Sequence, residues 1–154
     1  MATATLHASA VLVGSCAALI RGPPGSGKSR LTLALVAAAD AGLLRFGRLV
    51  ADDRCHIDVA NGRLVVRPAA ALAGLLEVRG LGLRRLPFEP VARVGVVVDL
   101  CANDAQRLPD ATAKVATIAG ITLPRVAVAP GIEPVPLALA ALRDEEFAAG
   151  DCLG

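Results

Sequence analysis

The stretch "CAALIRGPPGSGKSRLTLALVAAAD", residues 16 to 40, constrains the fold of this chain more than any other. A short apolar run of strand length (16 to 20) leads into G-x-x-x-x-G-K-[ST], filled by Gly22, Gly27, Lys28 and Ser29, and a helical pattern rich in Ala and Leu follows. A glycine-rich loop between a buried strand and a helix is a phosphate cradle. Backbone N–H groups over Gly22, Pro23, Pro24, Gly25, Ser26 and Gly27 turn inward to form an anion-sized nest. Lys28 reaches the outer phosphates as a point charge, and the Ser29 hydroxyl is placed to ligate Mg²⁺. Nucleotide phosphate binding, with ATP and Mg²⁺ as the cofactors, is the first expectation.

A length of 154 residues suits one domain, expected to span 1–154, able to bury roughly two-thirds of its unfolded surface. A net charge of +2, with three Phe and no Tyr or Trp, offers neither an electrostatic footprint nor a stacking platform for nucleic acid. Cys16, Cys55, Cys101 and Cys152 contain no C-x-x-C pair, and His7 and His56 do not stand at metal-ligand spacing, so zinc is not expected. No apolar run is long enough to span a bilayer. "ASAVLVGSCAALI" has no preceding Lys or Arg, and its removal would delete the strand that the loop needs, so it is not read as a secretory segment. A soluble, reduced, cytoplasmic protein is expected, with no membrane partner.

Candidate strands lie near 9 to 13, 16 to 20, 48 to 52, 55 to 59, 63 to 67, 94 to 99 and 125 to 129. Asn61-Gly62 between alternating runs is a strong hairpin signal, so part of the sheet is expected to be antiparallel. Helices are expected over 28 to 40, 69 to 76, 102 to 107 and 137 to 148. The fold class is α/β, with a mixed, partly antiparallel sheet and no sign of a repeat or linker.

Phosphoryl transfer also needs a carboxylate, usually at the end of a buried strand. Two places compete: "RLVADD", ending in Asp52 and Asp53, and "VGVVVDL", ending in Asp99. Pattern alone does not choose between them. Adjacent strand residues point to opposite faces, so Asp52 and Asp53 are expected to do different work.

The order "GPPGSGKS", "RLVADD", "LLEVRGLG" closely resembles the kinase domain of bacterial HPr kinase/phosphorylase, with its P-loop, H-R-L-[VI]-A-D-D and L-[LI]-E-[IV]-R-G-L-G motifs. "LHASAVLVG" resembles the family's strand before the P-loop, aligning His7, and "AQRLPD" is similar to its F-D-R-L-G segment, aligning Arg107. The resemblance covers about residues 5 to 130. It implies a single P-loop serine kinase domain of the type shared by HPr kinase and phosphoenolpyruvate carboxykinase. The activity implied is transfer from ATP to a serine of an HPr-like phosphocarrier protein of the phosphotransferase system, with a phosphate-dependent reversal that releases pyrophosphate.

Carried over by position, the resemblance makes Asp52 the general base and acid, supported by Asp53, with His7 orienting or charge-pairing the aspartate. Arg79 and Arg107 would meet phosphate oxygens, and Glu77 would help Ser29 hold the metal. It also implies a homo-oligomer. The separate N-terminal domain of many members is not in this sequence. The connection "AAADAGLLRFG" is longer than usual, and "PGIEPVPLA" lacks the Arg and Asn of the family's P-G-R-N-L-A. Two alternatives from other classes stay open: a small-molecule P-loop kinase, in which "LLEVRGLG" would have no role, and a non-catalytic ATP-sensing module.

Overall fold

The structure, a computed structural model, describes residues 4–144. Its strands are β1 (Ala4–Leu6), β2 (Ala8–Val13), β3 (Cys16–Arg21), β4 (Gly47–Ala51), β5 (Cys55–Ala60), β6 (Arg63–Pro68), β7 (Leu75–Val78), β8 (Gly82–Arg85), β9 (Ala92–Asp99), β10 (Val115–Ile118) and β11 (Ile121–Ala127). The helices are α1 (Lys28–Asp40) and α2 (Pro134–Leu142), with one 3₁₀ turn at Ala70–Leu72.

The main sheet runs β1-β5-β6-β9-β3-β2-β4. β9 is its pivot. Its first residues, Ala92 and Arg93, pair antiparallel with β6, while its last three pair parallel with β11, which continues into β10. β3 and β9 are also parallel, so the C-terminal ends of β3, β9 and β11 emerge together on one edge. Open sheets present ligand sites at such an edge. The remaining pairings within the main sheet are antiparallel, as the hairpin signal required. Asn61 and Gly62, both at positive φ (52° and 72°), make the two-residue turn between β5 and β6.

Ala17, Ala18, Leu19 and Ile20 are fully buried, as a strand covered on both faces must be. Alternation sends Leu19 and Val97 to a core with Ile57, Leu64 and Val66, and Ile20 and Val98 to a second core under the helices. Leu31, Leu35 and Ala38, at i, i+4 and i+7, form the buried stripe of α1. Leu31 and Leu35 are fully buried, so truncating either to Ala is expected to cost about 2–5 kcal/mol. This packing holds the start of α1, and with it Lys28 and Ser29, in place.

The expected helices correct in three places. Over 69 to 76 there is only the 3₁₀ turn and then the start of β7. The apolar run is broken at Gly74, whose φ is 76° and whose missing Cβ would lie 2.9 Å from the ring of Phe88. Over 102 to 107 there are turns and no helix; Ala102 N–H is taken by the Val128 carbonyl, and Asp104 by Arg125. The last helix starts earlier than expected, with Glu133 capping the Val135 N–H, and residues 145 to 148 of the expected span lie outside the described ones. β1, the β7–β8 hairpin and β10 were not among the candidate strands, and β11 begins before the expected 125.

Candidate active site

β3 delivers the loop at the sheet edge, where Ser26 N–H bonds the Pro23 carbonyl at 3.1 Å and Gly25 and Gly27 adopt φ of 77° and 97°. Pro23 and Pro24 form its exposed crest. Lys28 is only 7% exposed, and its ammonium donates to the Gly22 and Pro23 carbonyls at 3.0 and 3.3 Å. A cation is thus held at the loop by neutral acceptors, with no carboxylate hydrogen-bonded to it. With the positive end of α1 beside it, the loop is a site for a polyanion.

β4, next to β2, brings Asp52 to the same place. Asp52 is 6% exposed, and its Oδ1 accepts from Ser9 Oγ at 2.9 Å and Ser29 Oγ at 2.7 Å. Oδ2 accepts the Glu77 backbone N–H of β7 at 3.2 Å. The second and third motifs therefore meet the P-loop at a single carboxylate. Asp53 is exposed at φ 63°, the apex of a tight turn closed by Arg54 N–H to the Asp52 carbonyl at 2.7 Å. Non-glycine residues adopt that backbone region at a cost. One member of the doublet is buried against Ser29 and the other faces solvent, a division made by the turn that follows β4 at Ala51 rather than by strand alternation.

Ser9 was not among the candidate residues. It is fully buried in β2, donates to Asp52 and accepts the Asp53 N–H at 3.1 Å, so it braces both members of the doublet. Its signal was a lone hydroxyl in the otherwise apolar "ASAVLV". The other expected residues lie apart from this cluster's hydrogen bonds. The Glu77 side chain is exposed on β7, Arg79 is exposed in the β7–β8 turn, His7 is exposed in the bend between β1 and β2, and Arg107 is exposed among the turns after β9. None of these four side chains makes a hydrogen bond or ion pair with a described residue.

Asp99, the competing carboxylate, is spoken for. Arg21 grips it through Nε at 2.7 Å and a second guanidinium nitrogen at 2.8 Å, and Arg125 adds a bond of 2.6 Å before reaching Asp104 at 2.9 Å. Burial by itself raises the Asp99 carboxyl, but the hydrogen bonds and charges of the two arginines outweigh it and hold the group below the usual carboxylate range. It ties the end of β9 to the ends of β3 and β11. Cys55 and Cys101 are free thiols, and burial pushes the Cys55 thiol up to about 12, where it is inert. Among the described residues no three His, Cys, Asp or Glu side chains converge as a metal site, and no helix is long and apolar enough to cross a membrane.

A mixed sheet whose parallel strands meet at one edge, with a glycine-rich loop passing from β3 into α1, defines a P-loop kinase fold. Residues 1–132 match the family model of the HPr Serine kinase C-terminal domain, and the chain belongs to that family. It is 39% identical over 102 residues to HPr kinase/phosphorylase of Clostridium tetani, a match covering 62% of this chain and 31% of the relative. With the HPr kinase/phosphorylase of Clostridium beijerinckii it shares 40% identity over 78 residues, 51% of this chain and 24% of that one. The chain thus spans less than a third of the length of the curated relatives it matches. Among solved structures, the Hpr(Ser) kinase/phosphatase from Coxiella burnetii shares the fold, with a TM-score of 0.74 at 22% identity over 95% of this chain and 92% of that one.

Proposed function

We propose that this domain is an ATP-dependent protein serine kinase acting on a small HPr-like phosphocarrier protein, with a phosphate-dependent reverse reaction that releases pyrophosphate. A cytoplasmic homo-oligomer is part of the proposal. The observation that carries it is the Asp52 carboxylate, buried, 2.7 Å from the P-loop Ser29 hydroxyl and braced by the Glu77 N–H. That last bond gives "LLEVRGLG" a role it lacks in a small-molecule kinase.

The residues fit MgATP. Lys28 is bonded only to loop carbonyls, and the buried Ser26 hydroxyl has no partner, so both have capacity for an anionic ligand. Lys28 and the loop N–H groups would hold the phosphates, Arg79 and Arg107 would approach their outer oxygens, and Ser29 with Glu77 would hold Mg²⁺. With so few protein carboxylates to hand, phosphate oxygens and water complete the coordination, as is usual for this ion. When bound, MgATP supplies the phosphoryl group and the cation that neutralises its developing charge.

Asp52 accepts the acceptor serine's proton as the serine oxygen bonds to the γ-phosphorus and the bond to ADP breaks. If Ser29 helped to hold Mg²⁺, its hydroxyl would leave Oδ1 of Asp52, which would then be free to take that proton. In reverse, an oxygen of inorganic phosphate bonds to the phosphorus of the phosphoserine as the bond from that phosphorus to the serine oxygen breaks; Asp52 takes the proton of the incoming phosphate and passes it to the serine oxygen, and pyrophosphate leaves. Asp53 and His7 support Asp52 from the solvent side. The test is incubation with MgATP and candidate phosphocarriers, followed by intact mass and phosphosite mapping. One phosphate on a carrier serine is expected; turnover of a small acceptor with every carrier unmodified replaces the proposal.

A further inference from the structure

We propose that Asp104 is a positioning residue for phosphoryl transfer: through Arg125 it holds still the segment that carries Arg107. The inference rests on the phosphate role proposed for Arg107. The segment is 100–114, the connection from β9 to β10. It leaves the sheet at the C-terminal end of β9, the edge from which the P-loop also emerges. It consists of turns and bends, and Arg107 is exposed on it. A free loop of that length would have to be ordered each time Arg107 met a phosphate.

One guanidinium removes much of that freedom. Arg125 of β11 donates to both carboxylate oxygens of Asp104 at 2.9 Å and to the Ala113 carbonyl at 3.3 Å, while its backbone N–H bonds the Lys114 carbonyl at 2.7 Å. The outgoing and returning ends of the segment are thereby fastened to one residue. Arg125 Nε meanwhile donates to Asp99, which Arg21 grips from the entrance to the P-loop, so the clamp is tied to the strand that delivers that loop. Inside the segment a smaller ring closes around Arg107. The Gln106 amide donates to the Asp110 carboxylate at 3.4 Å and accepts the Asp110 N–H at 3.1 Å.

Asp104 differs from Asp99 in what it supports. Its side chain is 64% exposed, against 11% for Arg125, and Asp99 still holds Arg125 without it, so removing it is expected to open the clamp and leave the fold intact. Its hydrogen bond with Arg125 holds the Asp104 carboxyl below the usual carboxylate range, which keeps the clamp charged at neutral pH. A charged group misplaced by about 1 Å can cost about 10²-fold in rate, and Arg107 on a loosened segment is misplaced in this sense.

Single-turnover transfer from MgATP to the phosphocarrier, measured for the wild type, Asp104→Ala, Arg107→Ala and the double variant, tests this. Asp104→Ala is expected to slow transfer about tenfold or more and Arg107→Ala by at least as much, while the double variant stays within about threefold of Arg107→Ala. A merely structural role for Asp104 would multiply the two losses instead. A second measurement needs no turnover: tryptic cleavage between Arg107 and Leu108 is expected to run several-fold faster in Asp104→Ala than in the wild type, and MgATP is expected to slow it in the wild type. Asp104→Ala with wild-type transfer, losses that multiply in the double variant, or equal cleavage of the two proteins overturns the clamp alone. Arg107→Ala with wild-type transfer overturns the phosphate role of Arg107 and the clamp with it. Wild type that modifies no carrier sinks the kinase reading, and the cleavage rates then decide the clamp.

Discussion

Replacing Asp99 by asparagine separates a structural carboxylate from a chemical one. The change keeps size but removes the charge and turns an NH₂ group toward guanidinium donors. Asp99 is 13% exposed, Arg125 11% and Arg21 35%. Removing one partner of a buried ion pair costs about 3–5 kcal/mol. Here Arg21 is partly screened and Arg125 keeps Asp104, so about 2–3 kcal/mol is expected. For a chain of this size that lowers Tm by about 4–12 °C.

Urea and thermal melts measure the loss, and their pH dependence tests its cause. The folded-state carboxyl is lowered, so its contribution is fully present above the ordinary Asp value of about 3.9 and fades as the pH falls through the lowered folded value. The wild type should therefore exceed the variant by a constant margin from neutral pH down to about pH 4, with the gap closing below. Melts that coincide at pH 7 would refute the ion-pair account. A gap that persists undiminished at the acid end would trace the loss to packing instead.

Other changes report on the site directly. Lys28→Ala is expected to abolish transfer and weaken ATP binding at least about tenfold by calorimetry, because the ammonium stands in a partly desolvated loop. Glu77→Gln should raise the Mg²⁺ concentration needed for half-maximal transfer, and Asp99→Asn, assayed below its melting range, should not; a Mg²⁺ titration of both variants decides between them. Asp53→Gly relieves a left-handed backbone at φ 63°, so urea melts should show a gain of about 1 kcal/mol while transfer falls.

Much of this arrangement is legible in the sequence itself. The P-loop, its strand and its helix are local features, fixed by glycines, a lysine and a buried stripe within one stretch of chain. So is the β5–β6 turn, because Asn61 and Gly62 tolerate positive φ. What escaped depends on distant contacts. Asp99 looked like a catalytic strand end because its partners, Arg21 and Arg125, lie 78 and 26 residues away. β7 carries an Ala- and Leu-rich approach that favours helix locally, yet it is held extended by pairing with β8 and by the Glu77 N–H bond to Asp52. Ser9 left only one hydroxyl in an apolar strand as its mark. The two aspartates at the end of β4 were recognisable as a pair, but their division into buried and exposed members needed the turn at Asp53.

The central claim is that Asp52 takes the proton of the acceptor serine. Single-turnover transfer from labelled ATP to the phosphocarrier, with ATP affinity measured on the same Asp52→Asn protein, tests it most directly. The amide fits the strand end and can still accept from Ser29, but it cannot take a proton. Transfer is expected to fall by roughly 10²- to 10⁴-fold with ATP affinity near wild type, and phosphate-dependent release of pyrophosphate from the phosphocarrier to fall with it. Full forward transfer by Asp52→Asn would contradict the claim, and loss of ATP binding together with transfer would make Asp52 a support of the P-loop instead.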